Sequence, residues 1–165
     1  MARLAASILL LGLGACASTP APPPVTAPKP EPPPPQRLAW MPLDAFDGPI
    51  AQAVNDQMSR AKPPGTSASV KAAISMEVAQ LAIECIQPTP ACYAAVGRSM
   101  NADRLMWAEL DGAAADEKIR ITVVMFDVQA GKSSRRVGTF AGVQAARAGV
   151  AELVESASDP GSQAQ

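Results

Sequence analysis

The chain contains no histidine, and its other scarce residue types narrow the possibilities further. Without imidazole it lacks the commonest general base at neutral pH and a leading nitrogen ligand for metals. A cysteine nucleophile would have no imidazole partner, and a zinc site would fall short of about four ligands. No metal and no cofactor is therefore expected. Aromatic residues are 4% of the chain, too few for a platform on which bases or sugar rings stack. Neither sign of charge is in excess: 14 Lys and Arg face 15 Asp and Glu, for a net charge of −1. Loss of Arg3 with a leader would shift that by one unit only. Nucleic acid and anionic lipid, which select a clustered basic surplus, are thus excluded as charge-recruited partners. The apolar run from Leu4 to Leu13 is also too short for a permanent span, which needs about 20 residues.

That run is nonetheless informative. Arg3 supplies a positive start, Leu4 to Leu13 an apolar stretch, and Gly14-Ala15 the small residues a signal peptidase requires. The next residue is Cys16, so Leu13-Gly14-Ala15-Cys16 resembles the lipobox of bacterial lipoproteins. The resemblance implies removal of residues 1–15, diacylation of the Cys16 sulfur and acylation (palmitate among the expected chains) of the new amino terminus. Several acyl chains are what stable anchoring takes, since one chain binds only marginally. Lipoproteins retained in the inner membrane often carry Asp after the lipidated Cys. Here Ala17-Ser18 follow, which implies the outer membrane, with the domain facing the periplasm.

Proline is concentrated after the anchor. Ten of the 17 prolines lie between Pro20 and Pro35. Such a segment offers little apolar mass for a core and favours extended polyproline II. At about 3.1 Å per residue, residues 16–36 would hold a domain up to roughly 60 Å from the membrane. A docking-ligand reading of Pro30-Glu31-Pro32-Pro33 is disfavoured, because the domains that bind such motifs are mostly cytosolic. The expected organisation is a signal peptide over 1–15, a disordered tether over 16–36, one domain over 37–157 and a disordered tail over 158–165.

With Cys16 committed to lipid, Cys85 and Cys92 remain as an even pair in an oxidising compartment, where a disulfide is the default. They bracket a proline-containing corner between two expected helices. A redox pair usually has the tighter C-x-x-C spacing.

Within the domain, Arg37 to Leu43 reads as a first strand, apolar on both faces as in a covered sheet. Asp47-Gly48-Pro49 starts a helix, with Asp47 as cap and Pro49 in the first turn. Lys62 to Gly65 ends it. Val70, Ile74, Val78, Leu81 and Cys85 then recur every three or four residues, which predicts a second helix buried along that stripe. Thr89-Pro90 caps a third helix, with Tyr93, Val96 and Met100 inward and Asn101 as a left-handed stop. Residues 104–110, 118–128 and 134–140 read as consecutive strands, with a turn at Gln129 to Lys132. A closing helix covers about 143–156, with Val143, Ala146, Val150, Leu153 and Val154 inward. The order is strand, three helices, three-stranded meander, helix: an α+β fold in which helices cover a small mixed sheet.

Cys92 to Glu109 resembles a pattern from bacterial envelope lipoproteins. In it a helix beginning at Cys ends in Leu-Gly-Ala-Asp and feeds a strand, followed by a hairpin with an Asp-x-x-x-Gly turn, here Asp127 to Gly131. Over residues 37–157 the layout is similar to the amino-terminal domain of the TolB periplasmic protein and to related assembly lipoproteins. Asn101 stands where the pattern has Gly, and both tolerate the left-handed conformation. The pattern also has a strand soon after its first helix, where Thr66 to Val70 makes a poor one. No β-propeller follows, so a TolB task does not carry over. The resemblance implies a small periplasmic interaction module with no catalytic residues to transfer.

Few residues suggest chemistry. Gly131-Lys132-Ser133 lacks the earlier Gly and following helix of a phosphate-binding loop. Glu109, Asp111, Asp116 and Glu117 could meet a divalent cation or serve a carboxylate-dependent hydrolase, yet scattered loop carboxylates are usually solvated. Lys132, Arg135 and Arg136 form a sharper candidate, three cations in five residues facing peptidoglycan carboxylates or an acidic protein patch. The plainer reading is an edge strand kept soluble by charge. Trp40 and Trp107 sit in apolar strand patterns and should pack in the core. The expected function is therefore a non-enzymatic, outer-membrane-anchored lipoprotein that binds or scaffolds another envelope component. A structural accessory subunit of a larger outer-membrane assembly is the alternative.

Overall fold

A computed structural model of the chain describes residues 34–44, 48–85, 87–111 and 118–158. Residues 13–16, read above as a lipobox, most of the proline-rich segment, Asp47, Asp116 and Glu117 lie outside them. The elements are β1 (Gln36–Trp40), α1 (Gly48–Arg60), β2 (Thr66–Lys71), α2 (Met76–Ala82) and α3 (Pro90–Ser99). They continue with β3 (Arg104–Asp111), β4 (Lys118–Asp127), β5 (Lys132–Ala141) and α4 (Gly142–Ser158). β1 thus takes in Gln36, and α4 takes in Ser158, which is buried with its hydroxyl donating to the Val154 carbonyl at 2.6 Å.

The five strands form one mixed sheet in the order β2-β1-β3-β4-β5. β1 runs parallel to both β2 and β3, while β3, β4 and β5 form an antiparallel meander. The chain leaves β1 through α1 to reach β2, then returns through α2 and α3 to reach β3 on β1's other side. Helices consequently cover both faces, which is why β1 and β3 are apolar on both sides.

Two buried clusters result. On one face Leu38, Trp40, Met106, Ile121 and Val123 meet Val54 and Met58 of α1 and Val150 and Val154 of α4. On the other, Ala39, Met41, Leu105, Trp107, Val124 and Phe126 meet Met76 and Ala79 of α2 and Ala94 and Val96 of α3. Both tryptophans are buried, as their strand patterns imply.

Local chemistry sets most element ends. Thr89 caps α3 by accepting from the Cys92 N–H at 3.3 Å, with Pro90 leading the helix. Asn101 adopts the left-handed conformation (φ 50°) just beyond α3. In the β4–β5 turn the Asp127 carboxylate accepts from the Ala130 N–H at 2.7 Å, and Gly131 (φ 65°) closes onto the Asp127 carbonyl. That is the work of the Asp-x-x-x-Gly spacing. Gly97 allows α3 to approach the sheet, since a Cβ there would collide with the Val128 side chain.

Two expectations are corrected. Thr66–Lys71 is a strand, so β2 separates α1 from α2. It forms because β1 would otherwise leave one side unpaired. The Gln36 N–H donates to the Gly65 carbonyl and the Ala72 N–H to the Trp40 carbonyl, both at 2.9 Å. As a mostly exposed edge strand it needs little apolar content. The second helix is also much shorter than its stripe. α2 spans seven residues and buries Met76 and Ala79, not Val78 and Leu81. Val70 lies in β2, before the helix begins.

Candidate partner-binding surfaces

α2 is set between a Ser75 cap residue in extended conformation and a sharp stop, where Glu84 takes a left-handed φ of 57°. Cys85 and Cys92 are bridged across the corner that follows, with their Cα atoms 5.7 Å apart. Cys92 is buried beneath the first turn of α3, so the bridge fastens the α2 corner to the better-packed helix. With Met76 and Ala79 facing the core, the opposite side of this short helix is turned to solvent. Leu81 is 68% exposed and Val78 42%. Ile83 at the helix end and Val70 on β2 are exposed as well. Val70 pairs with Ala39, which belongs to the cluster that α2 covers, so Val70 lies on the α2 side of the sheet. Among the described residues, four of the five exposed large hydrophobics therefore fall between positions 70 and 83. Concentrated exposed apolar surface marks interaction sites, whereas isolated residues do not.

The second surface lies at the other end of the same sheet face. Tyr93 of α3 packs on Trp107 (ring centroids 4.8 Å apart) and edge-on to Phe126 (5.5 Å). Beyond it the sheet face turns polar. Glu109 accepts from the Trp107 indole N–H at 3.1 Å and pairs with Arg135 at 3.3 Å, and Asp111 pairs with Arg120 at 3.3 Å. Burial raises the Tyr93 phenol above its ordinary value, the Glu109 carboxylate raises it further, and Arg135 opposes them. These ion pairs are exposed and contribute little stability.

The cation cluster sits on β5 but is not one patch. The strand pleat sends Arg135 to the open face, opposite Val124, and Arg136 to the α4 face, opposite Val123. Lys132 stands opposite Asp127 in the strand register beside the turn, on the same face as Arg136. Arg136 donates through Nη1 to the Arg135 carbonyl at 2.8 Å, while its Nη2 is buried without a hydrogen-bond partner. Sequence proximity alone joined these three residues. The pleat signal that sets Arg135 apart from the other two was available, because alternate strand residues face opposite ways.

Between α1 and α4 lies an open cleft of about 680 Å³, lined by both charge signs from Arg60, Lys62, Glu152 and Glu155. Among the described residues no group of three or more Cys, Asp or Glu is placed to hold a metal ion. Glu109 and Asp111 share a sheet face, each engaged by an arginine. The α2 apolar surface, the most distinctive of these features, was missed in the sequence because its residues fit a buried stripe.

No protein-family model and no curated protein matches the chain. Among solved structures it is similar to the C-terminal domain of LpoB from Salmonella enterica, at 12% identity. That match covers 66% of this chain and 84% of that one, with a TM-score of 0.43. It is also similar to PelC, solved as a dodecamer, from Paraburkholderia phytofirmans, at 11% identity over 73% of this chain and 84% of that one, TM-score 0.38.

Proposed function

We propose that the chain is an outer-membrane-anchored lipoprotein whose periplasmic domain is a non-catalytic binding or scaffolding module of the cell envelope. The anchor is Cys16, supported by the Leu13-Gly14-Ala15-Cys16 lipobox, and the proline-rich 16–36 segment serves as a semi-rigid spacer. The resemblance of residues 92–109 and 127–131 to envelope lipoproteins, with a layout like the TolB amino-terminal domain, supports the same reading.

The observation that carries a binding role is the exposed apolar surface of Val70, Val78, Leu81 and Ile83. The Cys85–Cys92 bridge fastens the corner that follows α2, beside these residues. Apolar side chains fit a protein partner rather than the polar glycan and carboxylates of peptidoglycan. A photo-crosslinking residue replacing Leu81, expressed in the native host, should trap one adduct of fixed mass. Adding Val78→Asp should abolish the adduct without lowering the level of the lipoprotein. No adduct under any growth condition would overturn the reading. Unacylated chains in the intact mass of the membrane-purified protein would overturn the address.

A surface this apolar also favours the accessory-subunit form of the proposal, in which the domain is permanently seated in a larger assembly. Co-purification at fixed stoichiometry, resistant to salt, distinguishes that form from transient binding.

A further inference from the structure

β5 pairs with β4 at every position from Lys132↔Asp127 to Ala141↔Lys118, with no register shift. Its other side meets no strand among the described residues, since β5 ends the sheet. A row of backbone N–H and C=O groups on a straight strand is a template for further pairing, and proteins blunt such edges by a few means. These are short length, proline, a bulge, charge or a covering element. β5 is ten residues long, at the upper end of ordinary strand length, and has neither proline nor bulge. The opposite edge, β2, has six residues and a register irregularity at Gln36/Arg37. Charge guards β5 in its first five positions only, where the Arg136 guanidinium also occupies the Arg135 carbonyl. Val137-Gly138-Thr139-Phe140-Ala141 has none, and Val137 stands 59% exposed at the centre of the strand.

We infer that β5 is a docking edge for an extended, acidic segment of a partner protein, which adds to the sheet as a further strand. Charge complementarity selects this occupant. β5 carries three cations and no acid, and among the described residues neither Lys132 nor Arg136 lies in an ion pair. A second copy would bring two cationic strands together, whereas a carboxylate on an incoming strand would meet the exposed Lys132. An apolar residue of that strand would cover Val137, as cross-strand neighbours do. Ladder hydrogen bonds supply the affinity and the side chains the selectivity. This inference is independent of the α2 surface, which lies at the other edge of the sheet.

The test uses the full mature chain and a blocked ten-residue peptide of Glu, Thr and Val. Two control peptides differ in one respect each: Lys replaces every Glu, or alternate backbone amides along one edge are N-methylated. The Glu peptide should bind and slow hydrogen exchange of the outward β5 amides at least tenfold. Both controls should bind at least tenfold more weakly, and Lys132→Glu should weaken the Glu peptide at least threefold. Equal binding by the N-methylated peptide would overturn strand addition in favour of adsorption by charge. Absence of binding, or a chain that sediments as a dimer with β5 amides already protected, would overturn the proposal as well.

Discussion

The orientation of α2 yields the sharpest test, because the sequence periodicity and the tertiary structure assign opposite faces to the core. Leu81 is 68% exposed and Ala79 only 4%. Burying a whole leucine side chain is worth about 1.5–3 kcal/mol, so the one third that Leu81 buries is worth about 0.5–1 kcal/mol. Leu81→Ala should therefore cost no more than ~1 kcal/mol. Were the stripe of Val70, Ile74, Val78, Leu81 and Cys85 facing inward, the same change would cost about 2.7–5 kcal/mol through the cavity it leaves. Ala79→Leu inserts three carbons against Met41 and Met76 in a filled cluster and should cost about 1–3 kcal/mol by overpacking. For a domain of this size, each kcal/mol moves Tm by about 4 °C. Thermal melts of the three proteins would show shifts of about 2–4 °C for Leu81→Ala and about 4–12 °C for Ala79→Leu. The reverse ranking, with Leu81→Ala losing ~10 °C and Ala79→Leu unchanged, would refute the assignment of the apolar surface and the function built on it.

Other outcomes follow from the same geometry. Cys85 and Cys92 close a short loop, with a sequence separation of 7, for which chain entropy gives about 2.5 kcal/mol. Reduction, or the Cys85→Ser/Cys92→Ser pair, should lower Tm by roughly 10 °C, and an unchanged melt would mean that the corner is held by packing alone. Tyr93 is the chain's single tyrosine, so its phenolate absorbance is readable without interference. Its pKa in the folded state is raised, so above pH 10 the unfolded chain ionises first, and stability declines as pH climbs from that point toward the folded pKa. Glu109→Gln should bring the titration midpoint down and Arg135→Gln should move it up. A folded midpoint at or below 10 would contradict the burial of the ring.

Much of the fold was legible locally, whereas the α2 surface was not. The chemistry that stops and starts elements acts within a few residues: the Thr89 hydroxyl and Pro90 at α3, Asn101 beyond it, and Asp127 and Gly131 at the β4–β5 turn. β3 and β4 declared themselves by apolar content on residues that helices cover from both sides. The resemblance of Leu13-Gly14-Ala15-Cys16 to a lipobox, on which the proposed address rests, is a property of the sequence alone, as is the concentration of proline between Pro20 and Pro35.

The tertiary structure decided the rest. Thr66–Lys71 is a strand only because β1 presents an unpaired side to it, and nothing within the segment announces a partner some 30 residues earlier. The 3.6-residue period through Val70 and Leu81 is a property of spacing, while the face a helix buries depends on where its ends are held. Ser75 begins α2 after Val70 and Ile74 have passed, and the Cys85–Cys92 bridge fixes its far end. Those constraints turn Met76 and Ala79 inward and leave Val78 and Leu81 in solvent. Spacing along a chain reports which side chains share a face, but only the packing of distant elements determines whether that face meets the core or the outside.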